Sequence, residues 1–206
     1  MVNKKDFNEH LNSLKFFSYI NYYEKNGDEL IKFAEPFILP FDWLWVKCQQ
    51  LIKPVQYGYN GAGIKDGVVK LLRITDIQNG KVNWLTLPYC NIYNEQLSIY
   101  QIQKDDIFIA RTGGTIGKSF RLNEYKNNVV FAGYLIRFSF IITKISEYIE
   151  LFLNSPFYWN QVADKTAGTG QPNINGVSLS NLLIPLPPLN VQESIISKIN
   201  LIFDLI

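Results

Sequence analysis

The chain has 206 residues and a formal net charge of +2, and 47% of its residues are apolar and 15% aromatic. This composition supplies enough apolar surface for one sizeable folded domain and excludes an intrinsically disordered chain. The small net charge does not by itself indicate a nucleic-acid-binding protein, since a local basic surface can be offset by acidic residues elsewhere.

Cysteine and histidine are too scarce for a metal site or a disulfide framework. Cys48 and Cys90 are far apart without a C-x-x-C pattern, and His10 is the single histidine. Two buried free thiols are therefore predicted, as in a reducing compartment. The N-terminus lacks the apolar region of a signal peptide, and no apolar run reaches the ~18 residues of a membrane span, so a cytoplasmic protein without membrane contact is expected.

The first 36 residues are predicted to form a helical lead-in. Apolar residues recur at three-and-four spacing over residues 4–23, and Asp28 is expected to cap a short second helix that ends near residue 34. Residues 42–52 carry two tryptophans and fit either a short helix or a strand.

The middle third is predicted to be a β-rich body. Residues 57–67 (YGYNGAGIKDG) form a glycine-rich loop, and Asn79-Gly80 between apolar runs predicts a hairpin. A second tight glycine loop is predicted at residues 112–117, between two strands. The runs of β-branched and aliphatic residues that predict strands are 68–74, 82–87, 97–103, 106–111, 129–131 and 134–142.

The C-terminal part is predicted to be mainly helical. Residues 144–154 have a helical apolar face, and Ser155-Pro156 gives the preferred order of cap and first helical residue for a second helix. Pro185, Pro187 and Pro188 exclude a helix interior at that point. Asn190, with Glu193 three positions on, then predicts a capped amphipathic helix that runs to the last residue.

Three motifs that suggest catalysis are incomplete. Residues 112–119 (TGGTIGKS) have only three residues between Gly113 and the Gly-Lys pair, where a phosphate-binding loop needs four. The pair Asp105-Asp106 lacks the further carboxylate and lysine of a metal-dependent nuclease. There is no cofactor-binding glycine motif of a nucleobase methyltransferase, so no enzyme and no cofactor are predicted.

Polar side chains of the predicted loops favour a binding function instead. Arginine and lysine contact phosphates and guanine, and asparagine and glutamine contact adenine. The loop residues of these types, with tyrosines among them, are Tyr57, Tyr59, Asn60, Lys65, Arg73, Gln78, Arg111, Thr115, Lys118, Lys165, Thr169, Gln171 and Asn173.

Several segments resemble one protein family, the specificity subunits of type I restriction-modification systems. The segments that carry the resemblance are residues 40–46 (PFDWLWV), 72–80 (LRITDIQNG), 105–117, 168–174 (GTGQPNI) and 184–189 (IPLPPL), and Gln192 followed by Ile195 and Ile199. The last three of these segments resemble the end of a target recognition domain in those subunits. The whole match extends over about residues 37–206.

The resemblance implies an α/β (α+β) fold in which residues 37–189 form a β-rich target recognition domain with flanking helices. Residues 1–36 would be its lead-in, and residues 190–206 would begin a conserved spacer or dimerisation helix. It also implies a non-catalytic module that reads one half of a split double-stranded DNA target and directs methyltransferase and restriction subunits. Because only one such domain is present, the chain would be a half-subunit that pairs with a copy of itself through the C-terminal helix, or a fragment of a longer subunit.

The residues expected to contact DNA are Asn60, Lys65, Arg73, Arg111, Thr112, Thr115, Lys118, Lys165, Thr169, Gln171 and Asn173. One alternative is an interaction or decoy module that binds the methyltransferase subunit without reading DNA. A nuclease, or the recognition segment of a single-chain restriction enzyme, is a second alternative.

Overall fold

The computed structural model describes residues 23–26, 29–32, 35–78, 80–166 and 173–203. The strands are β1 (Tyr23–Asn26), β2 (Glu29–Lys32), β3 (Leu44–Lys47), β4 (Gln56–Tyr57), β5 (Val69–Leu72), β6 (Ile77–Gln78), β7 (Lys81–Val82), β8 (Tyr89–Cys90), β9 (Ile107–Ala110), β10 (Ser119–Arg121), β11 (Val129–Phe131), β12 (Leu135–Phe138) and β13 (Leu183–Leu186). The helices are α1 (Asn94–Tyr100), α2 (Ser146–Phe152), α3 (Pro156–Thr166), α4 (Gly176–Ser180) and α5 (Leu189–Phe203). This mixed composition confirms the predicted α/β fold class.

A four-stranded antiparallel sheet in the order β10-β9-β12-β4 lies between two hydrophobic clusters. All four residues of β9 are buried, which is why its sequence is continuously apolar. Because successive side chains of a strand point to opposite faces, Ile107 and Ile109 enter one cluster, while Phe108 and Ala110 enter the other. β9 is therefore the centre of the domain, and the residues that follow it are held on a rigid base.

The second sheet has the order β11-β5-β8, and the glycine-rich loop of residues 57–67 is hydrogen-bonded to the end of β11. β11 and β5 are parallel, and β8 is antiparallel to β5. The Tyr59 amide donates to the Phe131 carbonyl at 2.7 Å. At Gly58 a Cβ would lie 2.2 Å from the Ala132 carbonyl oxygen, so only glycine fits there.

β13 and β3 form a two-stranded antiparallel sheet near the C-terminus. Pro185 pairs in register with Trp45, and proline is tolerated because this small sheet leaves β13 with an unpaired edge. The helix α5 packs against α2, and Ile195 and Ile196 contribute to the larger hydrophobic cluster. The expected pairing with a second copy through this helix stays a prediction.

Two of the predicted elements are wrong in type. The short helix predicted at residues 28–34 is replaced by β2, which pairs antiparallel with β1; residues 1–22 lie outside the described part of the chain. The strand predicted at residues 97–103 is the helix α1 for most of its length. Leu97 and Tyr100 are three positions apart and pack on the same hydrophobic cluster. The apolar residues of this short run therefore follow the period of a helix, and the predicted strand is wrong.

Two boundaries also differ from the prediction. The hairpin at Gly80 is confirmed by β6 and β7, but β7 ends at Val82 because Asn83 starts a turn and its carbonyl accepts from the Thr86 amide. The helix α5 begins at Leu189, so the predicted capping box at Asn190 is wrong. Gln192 is buried instead and donates to the Pro187 carbonyl at 2.8 Å, which ties the first turn to the proline segment.

Other expectations are confirmed. The helix α3 starts at Pro156, with the Ser155 hydroxyl accepting from the Tyr158 amide. For residues 42–52, where the sequence left a helix and a strand open, the structure has β3 followed by a 3-10 turn. Cys48 and Cys90 are buried free thiols. Within the described residues, every helix is too short or too polar to cross a lipid bilayer.

Candidate nucleic-acid interface

The loop between β9 and β10 is built on glycines. Gly113 and Gly117 have φ angles of +73° and +82°, in the left-handed region that glycine adopts without strain. The Gly117 amide donates to Ala110, and the Gly117 carbonyl accepts from the buried Tyr158 hydroxyl of α3 at 2.6 Å. The loop is therefore a tight turn between two strands, as predicted, and hydrogen bonds at Gly117 hold it in place. Its tip, at Gly113 and Gly114, is exposed and accessible to a ligand.

Arg111 leaves β9 at the base of this loop and lies against Tyr57 of β4. Its guanidinium carbon is 4.9 Å from the centroid of the Tyr57 ring, a cation–π distance. The Tyr57 hydroxyl accepts a hydrogen bond from the Gly176 amide at 2.8 Å. This contact crosses from the N-terminal half of the domain to the start of α4 and fixes the ring under the guanidinium.

A third segment reaches the same place. Thr112 and Asn173 form an isolated antiparallel bridge, and the Ile174 amide donates to the Arg111 carbonyl at 2.9 Å. Asn173 is exposed, and Thr112 is half-buried. Three predicted site residues, Arg111, Thr112 and Asn173, are thus brought together by backbone hydrogen bonds between segments that are about sixty residues apart in sequence.

Asn60 and Tyr134 extend this surface. The Arg111 amide donates to the Tyr134 carbonyl at 3.1 Å, and Tyr134 is 69% exposed. Gly133, next to it, donates to the Tyr59 carbonyl, which places exposed Asn60 alongside. We call the set of six residues the Arg111 surface: Tyr57, Asn60, Arg111, Thr112, Tyr134 and Asn173.

The other three arginines have carboxylate partners. Arg121 pairs with Glu150 at 2.7 Å and with Asp105 at 3.2 Å, which joins β10 to α2. Arg73 makes a two-pronged contact with Asp76. That hydrogen bond raises the pKa of Arg73. Among the described residues, the side chain of Arg111 has neither an ion-pair partner nor a hydrogen-bond acceptor.

Arg137 and Asp106 form a buried ion pair inside the scaffold. The Arg137 Nη1 lies 3.4 Å from the Asp106 carboxylate, which also accepts from the Ser139 hydroxyl at 2.6 Å. Burial raises the pKa of Asp106, against the opposing effects of the Ser139 hydrogen bond and the Arg137 charge. Burial also lowers the pKa of Arg137, and the Asp106 charge opposes this shift. Desolvation is the largest effect on both partners.

The remaining predicted site residues are more scattered. Thr115 and Lys118 belong to the glycine loop, and the Lys118 side chain is exposed. Lys65 is exposed in the loop that ends near β8, and Lys165 is exposed in the last turn of α3. Thr169 and Gln171 lie outside the described residues.

The acidic pair Asp105-Asp106 has a structural role. Asp105 contacts Arg121, and Asp106 pairs with Arg137. In the ranges that the structure describes, no three side chains of histidine, cysteine, aspartate or glutamate are placed to hold a metal ion.

Two tyrosines of the Arg111 surface were not among the predicted site residues. Tyr57 was included only in the wider set of loop residues, and Tyr134 lies in a run that was read as strand. The signal for Tyr134 was the preceding Gly133, since a tight turn before a strand often leaves the next side chain exposed. The contact between Tyr57 and Arg111 depends on β12 pairing with both β4 and β9, which local sequence does not encode.

Comparison with known proteins gives consistent matches. The profile of the family described as "Type I restriction modification DNA specificity domain" matches residues 64–204. The EcoEI specificity subunit of Escherichia coli is 26% identical over 178 residues, which is 80% of this chain and 30% of that protein. The MjaVIII specificity subunit of Methanocaldococcus jannaschii is 27% identical over 179 residues, which is 82% of this chain and 41% of that protein.

A solved structure has the same fold. The crystal structure of the HsdS subunit from Thermoanaerobacter tengcongensis superposes with a TM-score of 0.56 at 15% identity, over 94% of this chain and 43% of that one. The chain therefore spans between about a third and a half of the length of these proteins.

Proposed function

This chain belongs to the family of type I restriction-modification DNA specificity domains, and from that premise we propose that it is a sequence-specific DNA-binding module. It reads one half of a split target in double-stranded DNA and has no catalytic step of its own. Residues 37–189 are the reading domain, residues 1–36 lead into it, and residues 190–206, which include most of α5, are the spacer or dimerisation segment that contacts other parts of the assembly.

The observation that carries the proposal is the Arg111 surface. Its side chains are of the types that contact phosphates and base edges, and most of them stand on loops near the end of the buried strand β9. The guanidinium of Arg111, which has no carboxylate partner among the described residues, supplies positive charge where the other arginines are neutralised within the fold. The mild net charge of +2 is compatible with this function because a local surface, rather than the whole chain, contacts the DNA.

The partners follow from the same premise. Specificity subunits assemble with methyltransferase and restriction subunits, and we propose that this chain binds the methyltransferase subunit and, through it, the restriction subunit. The exposed end of α5, with Leu201, Ile202 and Phe203 all more than half exposed, is the proposed contact for a second copy or for a further spacer helix. A two-fold pairing would place two reading domains at a fixed separation on DNA.

DNA binding is tested by fluorescence anisotropy with a random pool of labelled duplexes, with and without the methyltransferase subunit. The affinity should fall steeply between about 50 and 200 mM salt, because phosphate contacts release counterions. Arg111→Ala should weaken binding more than Arg73→Ala, since Arg73 is already paired with Asp76. The proposal is wrong if neither preparation binds DNA at the lowest salt. Methyltransferase binding without sequence-selective DNA protection would instead support the interaction module.

A further inference from the structure

Arg111 differs from the other arginines in its two terminal Nη atoms. Its Nε, like that of Arg137, is buried and has no hydrogen-bond partner among the described residues. The two terminal Nη atoms are not among the buried unpaired atoms, and no hydrogen bond to another described residue occupies them. The free donors are therefore the two at the outer tip of the guanidinium, which is the edge that a ligand can reach.

Tyr57 restricts the position of this donor pair. The guanidinium lies over the Tyr57 ring at 4.9 Å, and the ring is held at both ends, by the strand pairing of β4 with β12 and by the hydrogen bond from Gly176. A guanidinium held against a fixed ring loses fewer conformations when it binds than a free side chain does. The chain thus presents a preorganised, planar pair of N–H donors.

We propose that Arg111 reads a guanine through its O6 and N7 atoms in the major groove, and that Tyr57 is the positioning residue for this contact. The inference rests on the proposed function of DNA reading. Guanine presents two acceptors side by side in one plane, which matches the two Nη donors of an oriented guanidinium. A phosphate can also be bound by the point charge of a flexible lysine, so a phosphate contact does not require a guanidinium held in one position.

The first experiment is selection of bound sequences from a random duplex pool by the intact chain, bound to its methyltransferase subunit. The wild-type pool should be enriched in a guanine at one position, and Arg111→Ala should lose that preference while the other positions keep theirs. The expected discrimination at that guanine is a factor of about 5 to 150. Arg111→Lys keeps the charge but not the planar fork, so it should retain overall affinity and lose much of the guanine preference.

The second experiment replaces that guanine by 7-deazaguanine, which lacks the N7 acceptor. The substitution should weaken wild-type binding roughly tenfold and leave Arg111→Ala unaffected. Tyr57→Leu should reduce the 7-deazaguanine effect, whereas Tyr57→Phe, which keeps the ring, should preserve more of it. A merely structural role for Tyr57 would lower the affinity for both DNAs by the same factor.

The failure of this inference is distinct from the failure of the proposed function. If Arg111→Ala selects the wild-type consensus and binds every sequence more weakly by one factor, Arg111 contacts a phosphate and base reading is refuted, while DNA recognition stands. If the wild-type chain selects no consensus, both proposals are overturned.

Discussion

Two arginine–aspartate pairs of the described residues, Arg137–Asp106 and Arg73–Asp76, differ in burial and allow a controlled test of its effect. The Arg137 and Asp106 side chains are 12% and 4% exposed, whereas Arg73 and Asp76 are 44% and 11% exposed. Methionine at position 137 keeps most of the arginine volume and leaves the Asp106 carboxylate without its cation. Removing one partner of a buried pair costs about 3–5 kcal/mol, whereas an exposed pair is worth about 0–1 kcal/mol.

Equilibrium unfolding in urea measures the difference. With a slope of about 2 kcal/mol per M, Arg137→Met should lower the midpoint by about 2 M and Arg73→Met by less than about 0.5 M. The loss for Arg137→Met should shrink near pH 4. Burial already raises the pKa of Asp106 above its usual 3.8, and removal of the cation raises it further, so the variant binds a proton at low pH and the buried charge is lost. Equal losses for the two variants, or a loss that grows as the pH falls, would refute this reasoning.

Three further outcomes are expected. Gly58→Ala should prevent stable folding because its Cβ would lie 2.2 Å from the Ala132 carbonyl oxygen, whereas Gly114→Ala, with no atom within 4 Å, should leave the melting temperature nearly unchanged. Ile199→Asp, on the half-buried side of α5, should change solubility or oligomeric state in size-exclusion chromatography more than it changes DNA sequence preference. Lys118→Ala should reduce the slope of log affinity against log salt by about 1 if that lysine contacts a phosphate, with an unchanged consensus.

The buried framework was the part of the fold most open to prediction. The run that forms β9 is continuously apolar, and the order Ser155-Pro156 places the start of α3 correctly. Such signals are local, since burial and capping are written into a few adjacent residues. Errors arose where a short segment fits two periods, as at residues 97–103, or where tertiary contact decides. The start of α5 is an example, because the helix begins at Leu189 and its first turn is tied to Pro187 by the side chain of Gln192, a contact that no local capping pattern predicts.

The candidate site could be predicted only by residue type. Arg111, Thr112 and Asn173 were expected to bind DNA because they are polar residues in predicted loops, and their proximity depends on a bridge between segments far apart in sequence. No local pattern predicts that Tyr57 lies beneath Arg111, because three separate strands determine that contact. The sequence also does not show that Arg73 is less available to DNA than Arg111. That difference comes from the pairing of Arg73 with Asp76, which is seen in the structure.

The arginines that bind carboxylates are separate from Arg111, and under the proposed function this separates the stability of the scaffold from its sequence preference. Arg121 and Arg137 bind carboxylates that join strands and helices, so changing them disturbs the fold. Arg111 projects from the end of a strand whose own side chains are buried, and its guanidinium donates no hydrogen bond to another described residue. On the proposed function, substitution at Arg111 removes a contact with DNA and leaves the side-chain ion pairs of the scaffold intact. A recognition domain built in this way can change which base it reads through its loops, because the stability of the domain comes from a different set of charges.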